Sequence, residues 1–463
     1  MKVALIAPMW KTENPYPPLG LAYIAAVLEK DGHNVKIFDL TLEADMPLED
    51  KIDNIVDFSP EIIGMSAMSH NYSDAVSIAL YIKKMIDVSI VFGGPHPTIM
   101  PEDVLKKEFI DFVVMGEGED TFLRLCQEIE NGKNFKSIEG LCYKDNDNVI
   151  IQPRNSYINN LNNIPFPARH LLDLDKYKLI DDFGNKMATI ISSRGCPYRC
   201  TYCYKGLFGK SYRQRSPENI IDEIKYCIKN FSYKSFYFID DLFTMNTERV
   251  EKLTKSMTDE SLNIKWQCLA RVNNATLQMF EMMKRAGCYK VHFGIESGNQ
   301  NILNKVKKGI TLEQVKNAVN CCKKSDIKTK GYFMLGLPSD TIETMQDTLN
   351  FADNLKLDEM MFSITTPFPG TELWKNVDKN KIGSLSDAFY YSCDNDDIKI
   401  FYNLSEVSNE GILNMVRKSQ KIIDTANTRR FCERKFGKMI GPLAWQLCKV
   451  PYLRKTGKIL LRS

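Results

Sequence analysis

Along the first 120 residues, short apolar runs alternate with longer stretches whose apolar positions recur every three or four residues. KVALIAP, HNVKIFDL, EIIGMSA, SIVFGGP and DFVVMGEGE read as strands, and LGLAYIAAVLEKDG and DAVSIALYIKKM as amphipathic helices, the first closed by Gly32. Strands joined by helical crossovers predict an α/β fold with a doubly wound parallel sheet. Glycine-rich or polar segments follow four of the strands: PMWKTENPYPPLG, SHNYS, GGPHPT and GEGED. Open α/β sheets bind ligands at the carboxyl ends of their strands, so these four loops outline one candidate site.

Residues 144 to 188 break the rhythm with DNDN, NNLNN and PFPARH, which predicts a connection between domains. From ATIISSRG the alternation resumes. SFYFIDD, WQCLARV, KVHFGIES, KGYFMLGLP and EMMFSITTPFPGTEL are strand-like, with helical segments such as NIIDEIKYCIKN, LQMFEMMKRAG and LEQVKNAVNCCKKS between them. Six strand-plus-helix units fall short of the eight in a closed barrel and predict an open, partial (β/α)6 barrel. Beyond about residue 375 the pattern is mostly helical. The expected division is therefore 1–140, a linker at 141–187, a barrel at 188–375 and a helical region at 376–463.

Composition narrows the setting. With 44% hydrophobic and 26% charged residues the chain should fold as a soluble protein. The amino terminus lacks the long apolar core of a signal peptide and no apolar run approaches a membrane span, which predicts a cytoplasmic protein. The net charge of +3 conceals a basic end: from Arg417 onward thirteen Lys or Arg face only Asp424 and Glu433. With Trp445, Tyr452 and Leu453 among those charges, a weak membrane-surface contact is open to it, against the plainer reading of solvated terminal helices; no nucleic-acid partner is expected. An odd count of 13 cysteines in a reducing compartment argues against a disulfide framework.

Three of the cysteines stand within eight residues, in RGCPYRCTYCYKG: Cys196, Cys200 and Cys203. Thiolates are soft ligands suited to zinc or iron–sulfur clusters. A closed zinc site wants a fourth ligand from a second Cys or His pair, and no such pair is seen. Three thiolates on a 4Fe-4S cluster leave one iron open to an outside ligand.

This Cys-x3-Cys-x2-Cys loop, with aromatic Tyr202 before its last cysteine, resembles the cluster loop of radical S-adenosylmethionine (SAM) enzymes, and the resemblance extends over about residues 188 to 375. It implies a 4Fe-4S cluster on Cys196, Cys200 and Cys203 whose open iron binds SAM, an electron from an external donor such as flavodoxin or ferredoxin, and cleavage of SAM to a 5'-deoxyadenosyl radical. It places Tyr202 near the adenine, Asp240 and Asp241 of FIDD at the SAM amino group, where a glycine pair is usual, Arg271 at the SAM carboxylate and Glu296 at the ribose or amino acid portion.

PPLGL, VFGGPHPT and DFVVMGEGE resemble the Rossmann-like cobalamin-binding domain that precedes the radical domain in one large subclass, over about residues 1 to 140. The resemblance implies cobalamin as a second cofactor, met by Pro18, Gly20, Ser66, Ser69, Gly93, Gly94, His96, Thr98, Gly116, Glu117 and Gly118, the glycines admitting a bulky ligand close to backbone. The cobalamin pattern D-x-H-x-x-G is absent between the first strand and first helix, so a histidine lower ligand to cobalt is not expected; His70 and His96 lie in candidate loops and read first as hydrogen-bonding residues.

Other apparent motifs fall away. FGKS at 208–211 has Tyr204 where a phosphate loop needs glycine, and GEGEDT lacks the third glycine of a dinucleotide fingerprint. Cys321 and Cys322 read as helix packing residues, and Cys393, Cys432 and Cys448 are too widely spaced for a second cluster. The two resemblances together imply a cobalamin-dependent radical SAM enzyme that methylates an unactivated carbon, or phosphorus, in a small-molecule or peptide substrate. Radical cyclisation, oxidation or rearrangement is the alternative within the class, and a corrinoid-binding sensory protein the alternative outside it. Methylthiolation of transfer RNA would require a different amino-terminal domain.

Overall fold

The structure is a computed structural model that describes the chain except residues 10–14, 44–45, 133, 147, 383–398 and 449–463 and the side chains of 433, 434 and 438–448. Cys393, Tyr452 and Leu453, and the side chains of Trp445 and Cys448, thus lie outside the described residues, and with them most of the basic end. Among the described residues no helix is long and apolar enough to cross a membrane.

The chain forms two compact units. The first holds residues 1–269, 285–287 and a segment beginning at Thr366. It opens with β1 (Lys2–Ala7), α1 (Leu19–Lys30), β2 (Asn34–Asp39), α2 (Leu48–Asp57), β3 (Ile62–Ser66), α3 (Tyr72–Met85), β4 (Ser89–Gly93), α4 (Pro95–Ile99), α5 (Pro101–Leu105), β5 (Phe112–Val114) and α6 (Gly118–Asn131). Strands β1 to β5 are parallel, in the order β2-β1-β3-β4-β5. Val3 to Ile6 are all fully buried, as expected of a parallel strand covered on both faces. One face packs Leu21, Ala22, Ala25 and Leu28 of α1 and Phe122 and Leu125 of α6; the other packs Ile52 and Ile55 of α2 and Ala75, Ile78 and Ile82 of α3. The close fit shows at Gly64, where a Cβ would stand 2.8 Å from Leu5 Cδ2.

The sheet continues past residue 140. β6 (Leu141–Asp145) and β7 (Asn148–Ile151) join β5 as antiparallel strands, so the first part of the expected linker is sheet. The stretch after β7 is also fixed: Ala168, Leu172 and Tyr177 enter the core on the α1 side, the Ala168 N–H donates to Ala22 O at 2.9 Å, and the Tyr177 hydroxyl donates to Asp39 Oδ2 at 2.8 Å. Aperiodic sequence here means irregular backbone, not loose chain.

The same unit carries β8 (Met187–Ile190), the short antiparallel pair β9 (Ser193–Arg194) and β10 (Arg213–Gln214), α7 (Pro217–Phe231), β11 (Ser235–Phe238), α8 (Thr247–Asp259) and β12 (Lys265–Ala270). β8, β11 and β12 are parallel neighbours. Ser216 starts α7 by accepting the Asn219 N–H at 3.2 Å. A buried ion cluster ties the helix inward: Arg169 Nη2 donates to Glu223 Oε1 at 2.8 Å, and Arg215 donates to Glu223 Oε2.

The second unit contains α9 (Leu277–Arg285, except its last residue), β13 (Cys288–Glu296), α10 (Gln300–Lys305), α11 (Leu312–Lys324), β14 (Lys328–Leu335), α12 (Ile342–Leu355), β15 (Glu359–Ile364) and α13 (Asn409–Cys448), which breaks at Gly437 with φ +76°. β13, β14 and β15 are parallel. Capping boxes at Thr311 and Thr341 start α11 and α12. The succession of β8, β11 to β15 and their helices is that of an open partial (β/α)6 barrel.

Candidate functional site: the cysteine loop and the first sheet

The cysteine loop leaves β9 through Gly195, whose φ is +86°; a Cβ there would strike Ser211 O at 2.2 Å, so only glycine turns this corner. The Cys203 N–H donates to Cys200 O at 3.2 Å, and Leu373 N–H donates to Thr201 O at 3.1 Å, which pins the loop at both ends of its second half. Cys196 and Cys200 are buried, Cys203 is exposed, and none is in a disulfide. Lys205 is the cation beside these thiols: burial lowers its pKa, but Cys203 and Cys196 outweigh burial and raise it. Cys203 opens to water yet is crowded by protein, which pushes its thiol up, with Lys205 opposing.

The two adjacent aspartates after β11 differ. Asp240 is 1% exposed and its carboxylate accepts the Ser192 N–H at 2.6 Å, the Ser192 hydroxyl, and the Ser193 hydroxyl at 2.9 Å, with Arg249 Nη2 3.8 Å away. Asp241 is solvent-accessible, although protein around it raises its pKa by desolvation, with Lys205 lowering it. Asp240 thus already accepts from Ser192 and Ser193, whereas the Asp241 carboxylate is open to solvent.

At the carboxyl ends of the first sheet the predicted loops interlock. The Thr98 hydroxyl donates to Gly94 O at 2.7 Å and accepts the Gly116 N–H at 2.9 Å. Gly94, at φ +93°, leaves no room for a Cβ beside Ser66 Oγ, 2.9 Å off. Pro18 O accepts the Ala22 N–H at 3.0 Å at the start of α1. Gly20, Ser66, Gly93, Gly94, Gly116, Glu117 and Gly118 line a cavity of about 140 Å³, closed by Arg194, Leu207 and Phe208 from the cysteine-loop region. That volume is close to the roughly 150 Å³ that holds one benzene ring, so it admits a single planar ring of a larger ligand.

His96 and Ser69 are not among the residues that line this cavity. His96 is 2% exposed, its Nδ1 is 3.2 Å from Ser69 Oγ, and its ring stacks on Tyr72 with centroids 4.1 Å apart. Burial pushes its pKa down to about 4, and burial likewise lowers that of His70, so both rings are neutral at pH 7. His96 is a packing and hydrogen-bonding residue in this structure.

Four buried charges join the two loops. Glu117 accepts Arg194 Nη1 at 2.9 Å, Arg213 Nη1 at 2.9 Å and the Ile158 N–H at 2.9 Å, while Glu119 accepts Arg194 Nη2 at 2.5 Å. Burial alone would lower the Arg194 pKa; Glu119 and then Glu117 reverse this and raise it. Its guanidinium lies over the rings of Tyr23 and Phe208, at 5.3 and 5.2 Å.

In the second unit, Arg271 and Glu296 gather at the turn after α10. Lys308 Nζ donates to Glu296 Oε1 at 2.8 Å, and Arg271 Nε donates to Asn273 Oδ1 at 2.7 Å while its Nη2 lies 3.4 Å from where a Gly309 Cβ would be. Glu296 sits at φ +69° beside a bulge in β13, a strained conformation that turns its side chain out of the strand register. Lys308 escaped the sequence reading; the KKG turn ahead of a capped helix was its only signal.

Comparison with known proteins bears on this arrangement. The B12 binding domain family matches residues 8–126 and the radical SAM superfamily residues 190–352. An uncharacterized methyltransferase of Pyrococcus horikoshii is 38% identical over 369 residues, 79% of this chain and 79% of the relative. The chain belongs to the cobalamin-binding radical SAM enzymes. More distant relatives are a cytidylyl-2-hydroxyethylphosphonate methyltransferase of Streptomyces wedmorensis, 26% identical with 81% and 80% covered, and an anaerobic magnesium-protoporphyrin IX monomethyl ester cyclase of Rubrivivax gelatinosus, 28% identical with 78% and 66% covered. A solved radical SAM methyltransferase, TsrM from Kitasatospora setae, has a similar fold, with TM-score 0.70, 20% identity and 80% and 73% covered.

The residues of this radical SAM enzyme fit the cofactors of its family: a 4Fe-4S cluster, SAM and cobalamin. Three free thiols on one glycine-turned loop are the soft donor set a cluster needs. Among the described residues no three His, Cys, Asp or Glu side chains are gathered to grip one ion; thiolates on separate corners of a cluster need no such convergence. The Thr201 hydroxyl within the loop is buried without a protein partner, as at a position a ligand completes. The one-ring cavity beside Gly94 and Gly116 suits the ring at the end of a corrinoid's nucleotide tail.

Proposed function

We propose that this enzyme transfers a methyl group to an unactivated carbon, or to phosphorus, of a small-molecule or peptide substrate. The observation that carries the reading is the shared wall: Arg194 lines the cavity of the first sheet and stands two residues before Cys196. Relatives named as methyltransferases support it. When bound, the cluster and SAM supply a radical able to remove hydrogen from a C–H bond, and the corrinoid supplies a methyl group beside it.

In this reading Cys196, Cys200 and Cys203 hold the cluster and Tyr202 borders the adenine. Asp241 takes the SAM ammonium, and Arg271 the carboxylate, to which a forked guanidinium is matched. Glu296, held by Lys308, faces the ribose or amino acid portion. Gly93, Gly94, Gly116 and Gly118 admit the corrinoid tail. An external donor of flavodoxin or ferredoxin type delivers the electron.

The test follows a methyl label. Anaerobic protein with reconstituted cluster, hydroxocobalamin, SAM labelled on its methyl group and a low-potential reductant such as reduced flavodoxin is given a small-molecule extract. Label in a product, with 5'-deoxyadenosine and S-adenosylhomocysteine in equal amounts, is expected. Deoxyadenosine without homocysteine product would assign a cyclase or oxidase chemistry instead, and the reverse would assign a polar methyl transfer.

A further inference from the structure

Arg194 touches two things at once. It closes the one-ring cavity together with Glu117, Glu119 and Phe208, and through Gly195 it leads directly into Cys196. Each of its terminal nitrogens is held by a different carboxylate of the Gly116–Glu119 loop, at 2.9 and 2.5 Å. Its neighbour across the β9–β10 pair, Arg213, is held by the same Glu117 and donates to Phe208 O at 2.7 Å, and Phe208 is again a cavity wall. Glu117, Glu119, Arg194 and Arg213 are 2%, 6%, 5% and 8% exposed, so each of these charges depends on its protein partners. Neither loop can shift alone without leaving a buried charge unpaired.

We propose that Glu117 and Arg194 are positioning residues that couple occupancy of the corrinoid cavity to the geometry of the cysteine loop, so that cobalamin and the cluster each favour binding of the other. The inference rests on the reading of the cavity given above. A ligand ring seated between Gly94, Gly116 and Glu119 fixes the acidic loop; the acidic loop fixes Arg194; and Arg194 fixes the backbone that turns at Gly195 into the first thiolate. Because coupling of two binding events is reciprocal, the same factor must appear in both directions.

The experiment measures that factor in full-length protein. Hydroxocobalamin is titrated by absorbance into protein with and without its reconstituted cluster, and the rate at which a ferrous chelator strips iron is measured with and without hydroxocobalamin. A ratio of at least about fivefold in Kd is expected, the lower end of ordinary coupling, together with slower iron loss in the presence of hydroxocobalamin. Glu117→Gln, which keeps shape and removes charge, should bring both ratios close to one; Arg194→Lys, which keeps charge and loses the fork, should do the same. Equal Kd values with and without cluster in the unaltered protein would overturn the coupling, and that measurement needs no variant to fold. Full coupling in a folded Glu117→Gln protein would overturn the role of this residue. Failure of the unaltered protein to bind hydroxocobalamin at all would instead remove the cavity reading, and the inference with it.

Discussion

Ser192 holds Asp240 twice, donating both its backbone N–H, at 2.6 Å, and its hydroxyl to the same carboxylate. Arg249 closes the arrangement by donating to the Ser192 hydroxyl at 2.8 Å and to Ser192 O at 3.1 Å. The carboxyl ends of β8 and β11 are thereby locked together, just ahead of β9 and the cysteine loop.

Asp240→Asn and Asp241→Asn should therefore separate. The first removes a buried charge from a saturated network and should cost about 3 kcal/mol of stability. The second should leave stability within about 0.5 kcal/mol and weaken SAM binding roughly tenfold, the worth of one charge-assisted hydrogen bond. Urea unfolding and equilibrium dialysis with labelled SAM read the two effects; a stable Asp240→Asn protein would refute the assignment.

Gly195→Ala should impair cluster assembly. The left-handed backbone strain of about 1–3 kcal/mol adds to the contact with Ser211 O, so the corner must move. Iron and sulfide per protein should fall toward the level of Cys200→Ala, which removes a ligand and leaves the backbone alone. Undiminished iron in Gly195→Ala would show that the corner is dispensable.

His96 gives stability a pH dependence. Its folded pKa of about 4 lies below the ordinary value of 6.5, so the unfolded chain binds the proton more readily. Its contribution is complete above pH 6.5 and is lost as pH falls through 4, by no more than about 3 kcal/mol. In His96→Phe, which keeps a ring against Tyr72, the decline of urea stability between pH 6.5 and 4 should be shallower; an unchanged slope would place the titration elsewhere.

Arg169→Met leaves Glu223 with Arg215 alone in a fully buried site. A loss of about 3–5 kcal/mol is expected, seen as a lower urea midpoint. A loss under about 1 kcal/mol would mean that Arg215 suffices.

What could be read beforehand was what is local. The three-cysteine spacing, β1 as KVALIA and α1 from Leu19 are written in consecutive residues, and the structure keeps them. DFVVMGEGE read as one strand, but β5 ends at Val114 because Gly116 turns at φ +73° and α6 begins at Gly118. The partners of Asp240 were not legible because Ser192 lies 48 positions away, and the Arg194–Glu117 pair spans 77. Sequence periodicity reports which face is apolar; it carries nothing about which distant charges meet.

The four buried charges also constrain how such enzymes can be recombined. A chimera that took its corrinoid module from one relative and its cluster module from another would bring Glu117 and Glu119 from one parent and Arg194 and Arg213 from the other. Without matching partners, two to four ions would be stranded in a dry seam. A module exchange in this chain must therefore carry the four charges as a set.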